Sequence, residues 1–483
     1  MSIASLRHLH NDYLRARKAA REIERQFGLR VTAPADGTAA PRPSRAETEQ
    51  ARRTGRSEPP RITLRRIVQD AAATVSSETD FLARIRDAGA LIRTRNSTDQ
   101  PGTATGYAVA LPADQAGTSK DIWFSGGKLA PDLTLPKLRC RWEHPAATTS
   151  EAQSPSMNLE PRSVRAFLRS AACSAAEQAR NEAGFFRLLD DAGILIRYRY
   201  SEIHPGEITG YALTLPGHAD EHGDLAWYGG GRLGEQLTLP RLRQRWDAAA
   251  SSERVQASLS PAERHAIWSD VIRLTGDGAA ELRRLAATNP AAAADAAWAT
   301  ADALRASARE IGGRPGRQIG KAADDFDRAA RATYRTIPRP TPAGNRLRTA
   351  SRLLAVLDGT GSHGVRVDQL VIALIQLAES TARLRLAQMH AHQAHAARVA
   401  AERLDTLRRD PELRPQVPAR TAAAARTSSA TRPANDAVRI ASADMPSGVR
   451  LRPSTQVPRQ TPQPAQIPLK PATRPTKPRG PAP

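Results

Sequence analysis

Cysteine is nearly absent from this chain: Cys140 and Cys173 are the only two among 483 residues, and neither belongs to a CxxC or Cys/His spacing. That argues against a disulfide framework or a structural zinc site and fits a reducing compartment. Aromatic residues are also scarce, at 4%, so each large ring is a candidate for a fixed place in a core. No stretch approaches the roughly 18 continuous apolar residues of a membrane span. Met1 to Leu14 lacks the apolar centre of a secretory signal, so a soluble cytoplasmic protein with no membrane partner is expected. Acidic residues are in deficit too: 49 Asp and Glu face 71 Lys and Arg, a formal charge of +22. Such a field attracts polyanions and makes nucleic acid the leading partner class. An Arg- and Ala-rich proteome would raise the charge as well, so charge alone does not carry the reading.

What is present is a duplication. Phe81 and Phe185, Gly106 and Gly210, Trp123 and Trp227, and Trp142 and Trp246 are related by a constant offset of 104 positions, with no gap. About half the positions between Phe81 and Trp142 are identical in the second copy, and Arg61, Leu64 and Arg65 recur as Arg165, Leu168 and Arg169. Each copy reads as two helices (Ile62 to Val75, Glu78 to Ala88), with Gly89 or Gly193 as a left-handed cap. Strands over Leu91–Arg95, Thr105–Leu111 and Ile122–Ser125 follow, the first two joined by a turn holding Pro101 and Gly102. Gly126-Gly127-Lys128 and a short helix from Thr134 to Trp142 close the unit. The expected fold class is α+β, with tandem α-α-β-β-β-α modules over 61–146 and 165–248, an all-helical region and a disordered basic tail.

Outside the modules, a helix is expected from Asp12 to Phe27 within residues 1–30, and 31–60 reads as a basic Pro-rich linker or surface arm. Residues 147–164 link the copies. An Ala-rich bundle follows over 261–337: Pro261 to Leu274, Ala279 to Ala287, Pro290 to Ile311 and Gly316 to Ile337. The 345–410 region reads as Asn345 to Leu357 and a long helix from Val367 to Leu407. In that helix Leu370, Leu374, Leu377, Thr381 and Leu384 follow the 3.5-residue period of a coiled-coil seam able to pair with a partner helix. Residues 411–483 are rich in Pro, Arg, Ala and Thr and too poor in large apolar groups to offset ordering entropy.

Strand alternation puts Leu91, Arg93 and Arg95 on one face, and Leu195, Arg197 and Arg199 likewise. With Lys128 and Arg232 after the glycine pairs, and Lys137, Arg139, Arg141, Arg241, Arg243 and Arg245 on the closing helices, these form phosphate-binding candidates. Tyr107, Trp123, Tyr211 and Trp227 are candidates for stacking on unpaired bases. The alternative keeps the aromatics in the core and leaves the arginines as a solvated face. The glycine pairs lack Walker A spacing, so nucleotide hydrolysis is not expected. His8-Leu9-His10 with Tyr13 resembles the metal and nucleophile pattern of a nickase but has no sheet sequence behind it, and His390, His392 and His395 offer no i, i+4 pair. No catalytic, metal or cofactor site is assigned.

Leu-His-Asn-Asp-Tyr at 9–13, Thr-Ala-Pro-Ala-Asp at 32–36, Arg-Ala-Glu-Thr-Glu at 45–49, Thr-Gly-Tyr-Ala in both copies and the run from Gly126 to Leu138 resemble actinobacterial plasmid relaxases, with the likeness reaching about Leu354. In that family an N-terminal nickase domain cuts plasmid DNA for conjugative transfer; the resemblance here is to the part downstream of it and carries over no catalytic residue. It implies a mobilization role without implying activity, and the preferred reading is a noncatalytic mobilization or relaxase-like protein that binds transfer-origin DNA, single or double stranded, or a separate relaxase, with the helical region docking that partner. A truncated relaxase and a protein-interaction scaffold without DNA binding are the alternatives.

Overall fold

A computed structural model describes residues 19–20, 22–24, 26–27, 37–97, 104–112, 122–142, 157–247, 258–333, 336–357 and 367–410. All of them fall in one compact unit. The tail from 411, His8, His10 and Tyr13, and the turn at Pro101 and Gly102 lie outside the described residues. The fold is mostly helical (66%), with two small three-stranded antiparallel sheets, so helix packing organises a chain whose sheets are local to the two copies.

Residues 19–20, 22–24 and 26, from the expected first helix, are helical. The Pro-rich stretch is more ordered than a linker. It holds α1 (Arg45–Arg53), opened by a capping box in which Ser44 and Glu47 satisfy each other's backbone amides. Glu47 then reaches Arg61 at 2.6 Å, and Thr38 is fully buried, its carbonyl accepting from Arg331 at 2.9 Å.

The first copy runs α2 (Pro60–Thr74), α3 (Glu78–Asp87), β1 (Leu91–Asn96), β2 (Ala104–Ala110), β3 (Phe124–Ser125), α4 (Gly126–Leu129) and α5 (Leu135–Trp142). The second repeats the order as α6 (Pro161–Gln178), α7 (Glu182–Asp191), β4 (Leu195–Tyr200), β5 (Ile208–Thr214), β6 (Tyr228–Gly229), α8 (Gly230–Leu233) and α9 (Leu239–Asp247). Gly89 and Gly193, at φ +78° and +74°, make the left-handed turn from helix into first strand. Strand order is sequential in both sheets. Arg95 sits opposite Gly106 and Arg199 opposite Gly210, with a bulge one residue later in each. The glycine pair after the third strand forms a one-turn helix where a loop was expected.

The two expected helical domains form one bundle: α10 (Pro261–Thr288), α11 (Ala294–Ile311), α12 (Gly313–Ala330), α13 (Pro342–Leu357), α14 (Val367–Ala387) and α15 (Ala391–Arg408). Gly276 and Gly278 do not break α10, because Gly278 lies against Leu347 of α13, where close approach needs a small residue. α12 ends at Ala330, short of the expected Ile337. Its last carbonyls accept from buried side chains, Ala329 from Arg385 at 2.8 Å and Arg331 from Gln393 at 2.6 Å. The expected long helix breaks at Met389 (φ +60°), and α15 packs on α14 and α12. Leu370, Leu374, Leu377, Thr381 and Leu384 are all fully buried in this bundle, so the seam is used internally and is not presented to a partner.

Each copy docks through its first helix, α2 onto α11 and α13, and α6 onto α10 and α13. The chemistry differs. The core of the second copy is continuous with that of the bundle. The first copy keeps its own core around Phe81, Tyr107 and Trp142, and meets the bundle through ions. Arg66 of α2 pairs with Asp324 at 2.8 Å, Gln69 donates to Asp327 at 3.0 Å, and Arg305 joins Asp324 at 2.7 Å.

Candidate nucleic-acid interface

Each sheet buries one face and leaves the other to solvent. Val109, Tyr107 and Phe124 turn toward the first core, while Arg93, Arg95, Gly106, Ala108 and Ser125 share the opposite face by alternation and register. The second sheet repeats this with Arg197, Arg199, Gly210, Ala212 and Gly229. All four arginines are exposed, and none pairs with a carboxylate among the described residues.

They are nonetheless held. Arg95 Nε donates to Thr105 Oγ1 at 3.2 Å, and that hydroxyl donates back to the Arg95 carbonyl at 3.0 Å. Arg199 and Thr209 repeat the pair at 3.3 and 3.1 Å. The Arg93 guanidinium lies over the Trp123 ring at 3.9 Å, and Arg197 over Trp227 at 4.8 Å. The second arginine lies over the glycine opposite it: a Cβ at Gly106 would stand 3.6 Å from Arg95 Nη2, and one at Gly210 3.3 Å from Arg199 Nη2. The result is two copies of an oriented guanidinium pair with no carboxylate partner among the described residues, suited to bidentate contact with phosphate oxygens.

The other candidates separate by environment. Lys128 and Arg232 are exposed on the one-turn helices beside the sheets. Arg139 and Arg243 are occupied inside their own modules: each pairs with the first glutamate of α3 or α7, at 2.6 Å to Glu78 and 2.8 Å to Glu182. Each also donates to a β2 or β5 carbonyl, at Ala104 and Ile208. Arg141 is buried, paired with Asp302 and lying over Trp298, so it fastens the first copy to α11 and is turned away from solvent. Lys137 Nζ donates to the Pro131 carbonyl at 2.9 Å, Arg241 stands 3.9 Å from exposed Glu235, and Arg245 is half-buried.

Tyr107 and Tyr211 are core residues and present no ring to a base. Their hydroxyls donate to the Leu133 and Leu237 carbonyls at 2.7 and 2.6 Å, and burial pushes both phenols well above their ordinary range. Phe81 and Phe185 meet them edge-on. These hydrogen bonds also explain the glycine pairs: a Cβ at Gly126 would strike the Tyr107 hydroxyl and the Leu133 carbonyl, and Gly230 faces the same pair in the second copy. The first glycine of each pair, Gly126 or Gly230, is thus required by packing.

Sequence reading missed Thr105 and Thr209 as the groups that aim Arg95 and Arg199. The signal was the identical Thr-Gly-Tyr-Ala in both copies, which becomes informative once register sets its glycine opposite the arginine. Among the described residues no group of three His, Cys, Asp or Glu is arranged to hold a metal ion, and no helix is long and apolar enough to cross a membrane. No family model, curated protein or solved structure matches the chain.

Proposed function

We propose that this chain is a noncatalytic DNA-binding protein acting in mobilization of a plasmid or other mobile element. The DNA-binding part rests on one observation: a solvent-facing guanidinium pair, without a carboxylate partner among the described residues, built in the same way on both sheets. The formal charge of +22 supports it by favouring polyanions over the whole chain. The mobilization part rests on the resemblance of the segments at 9–13, 32–36, 45–49 and 126–138 to the region downstream of a relaxase nickase domain.

Binding should be governed by counterion release, with log K falling linearly against log salt between about 50 and 200 mM. Titration of a labelled duplex with the full chain, followed by anisotropy, measures this. Replacing Arg93, Arg95, Arg197 and Arg199 together by Ala should weaken binding and flatten the salt dependence in a protein whose circular dichroism is unchanged. A wild-type chain that fails to bind DNA even at the low-salt end would refute the reading and favour the scaffold alternative. Supercoiled plasmid carrying a transfer origin should stay uncut by the chain alone in the presence of magnesium or manganese.

A further inference from the structure

We propose that each sheet is a two-phosphate clamp, in which Arg93 with Arg95, and Arg197 with Arg199, grip consecutive phosphates of one strand while the neighbouring rings hold the arginines and leave the bases unread. This deepens the DNA-binding reading and depends on it.

Four observations carry the inference. The two arginines of a pair are two residues apart on one strand face, so their Cα atoms are about 6.6 Å apart, comparable to successive phosphates along a nucleic-acid strand. One member has its Nε committed to Thr105 or Thr209, which fixes the plane of the fork. The other has its guanidinium carbon over the ring of Trp123 or Trp227, so each indole ring already carries a guanidinium. Gly106 and Gly210 lie under the second arginine, and the floor beside the pair is made of small residues, Ala108 and Ser125 in one sheet and Ala212 and Gly229 in the other, over which a sugar-phosphate backbone can approach. Tyr107 and Tyr211 are inside the cores, and the half-buried Trp123 and Trp227 each already hold a guanidinium over the ring. Recognition is therefore of the backbone and indifferent to sequence.

Counterion release makes this countable. Each phosphate contact contributes about 0.9 to the slope of log K against log salt on duplex DNA and about 0.7 on a single strand. The pair R93A/R95A should lower the magnitude of the slope by about 1.8 on duplex or about 1.4 on a single strand, R197A/R199A by the same amount, and all four by twice as much. The probes are labelled short duplexes of two unrelated sequences and their separated strands, which should bind with equal affinity within each class. Thr105→Val with Thr209→Val keeps the charge and the β-branched shape but releases the fork, so binding should weaken about three- to tenfold with the slope unchanged. Trp123→Ala with Trp227→Ala should act in the same direction on duplex and single strands alike.

A steep wild-type slope that the arginine pairs do not change would overturn the clamp and leave DNA binding to the rest of the basic surface. A tryptophan effect confined to single strands would overturn backbone-only recognition. If the wild-type chain binds none of the probes at low salt, the clamp falls together with the function it rests on.

Discussion

At Gly126 the space a side chain would need is filled by the Tyr107 hydroxyl on its way to the Leu133 carbonyl, whereas at Gly127 the nearest atom to an added methyl is Thr134 Cγ2 at 3.3 Å. Adjacent glycines thus have different reasons to exist. Gly126→Ala should destabilise the chain by about 2 to 3 kcal/mol through overpacking. Gly127→Ala should stay within about 1 kcal/mol of wild type, because a helical alanine offsets a slight displacement of Thr134. Denaturant unfolding of the two variants side by side tests the order, and equal losses would mean that the one-turn helix, not the buried hydroxyl, sets the constraint. The same reasoning separates the arginines. Composition counts them as equivalent, yet Arg139 and Arg243 are committed to Glu78 and Glu182 while Arg93 and Arg197 rest on indoles. Pairing of this kind depends on residues about 60 positions away and has no periodicity to betray it.

At the scale of elements, the modules were legible in the sequence because their signals are local. The helix-ending glycines and strand alternation are readable within a few residues, and each copy carries a small three-stranded antiparallel sheet among helices. The bundle was less legible. Gly276 and Gly278 read as a break in α10, but Leu347 of α13 fills the groove that Gly278 leaves and the helix continues. Conversely, nothing between Val367 and Leu407 is a helix breaker, and the chain still reverses at Met389, where α15 gains a berth against α12 and α14. Tertiary packing overrode propensity in both cases. Because Met389 holds a left-handed conformation and is almost wholly exposed, Met389→Gly should relieve backbone strain without losing packing. A gain of about 0.5 to 1 kcal/mol is expected, the strain relieved being partly offset by glycine's unfolded-state entropy. Thermal unfolding at matched concentration measures it, and a loss of stability would show the turn to be unstrained.

Across the whole molecule the two copies share a fold but attach to the bundle by different physics, and acid should tell them apart. Asp327, facing Arg331, Arg305, Arg65 and Gln69, is one centre of the ionic seam under the first copy. Burial alone would raise its pKa, but the three guanidiniums outweigh that and hold it below the usual carboxylate range. Its contribution is therefore present above the ordinary aspartate pKa and lost as pH falls through its own lower value. Asp70 has the opposite sign: burial, aided by Asp324 and opposed by Arg305, pushes it up to about 6. Its contribution is greatest at low pH and is lost as pH rises through about 6, though its side chain is 39% exposed and solvent screens part of the effect. Docking of the first copy should thus be firmest at about pH 4 and weaken as pH rises through about 6. Asp70→Asn should remove the decline toward neutrality without changing the acid limb. Hydrogen exchange resolves this by element: amides of α2 should lose protection both in acid and as pH rises through about 6, while those of α6, seated on an apolar core and the Arg169–Glu263 pair, should respond only on the acid side. Arg141→Ala provides the complementary test, because it leaves Asp302 buried without its partner. It should cost about 3 to 5 kcal/mol and deprotect α2 at every pH. Since Arg141 faces inward, the salt slope of DNA binding should be unaltered at temperatures where the variant is folded, and a flattened slope would place that arginine back among the phosphate contacts.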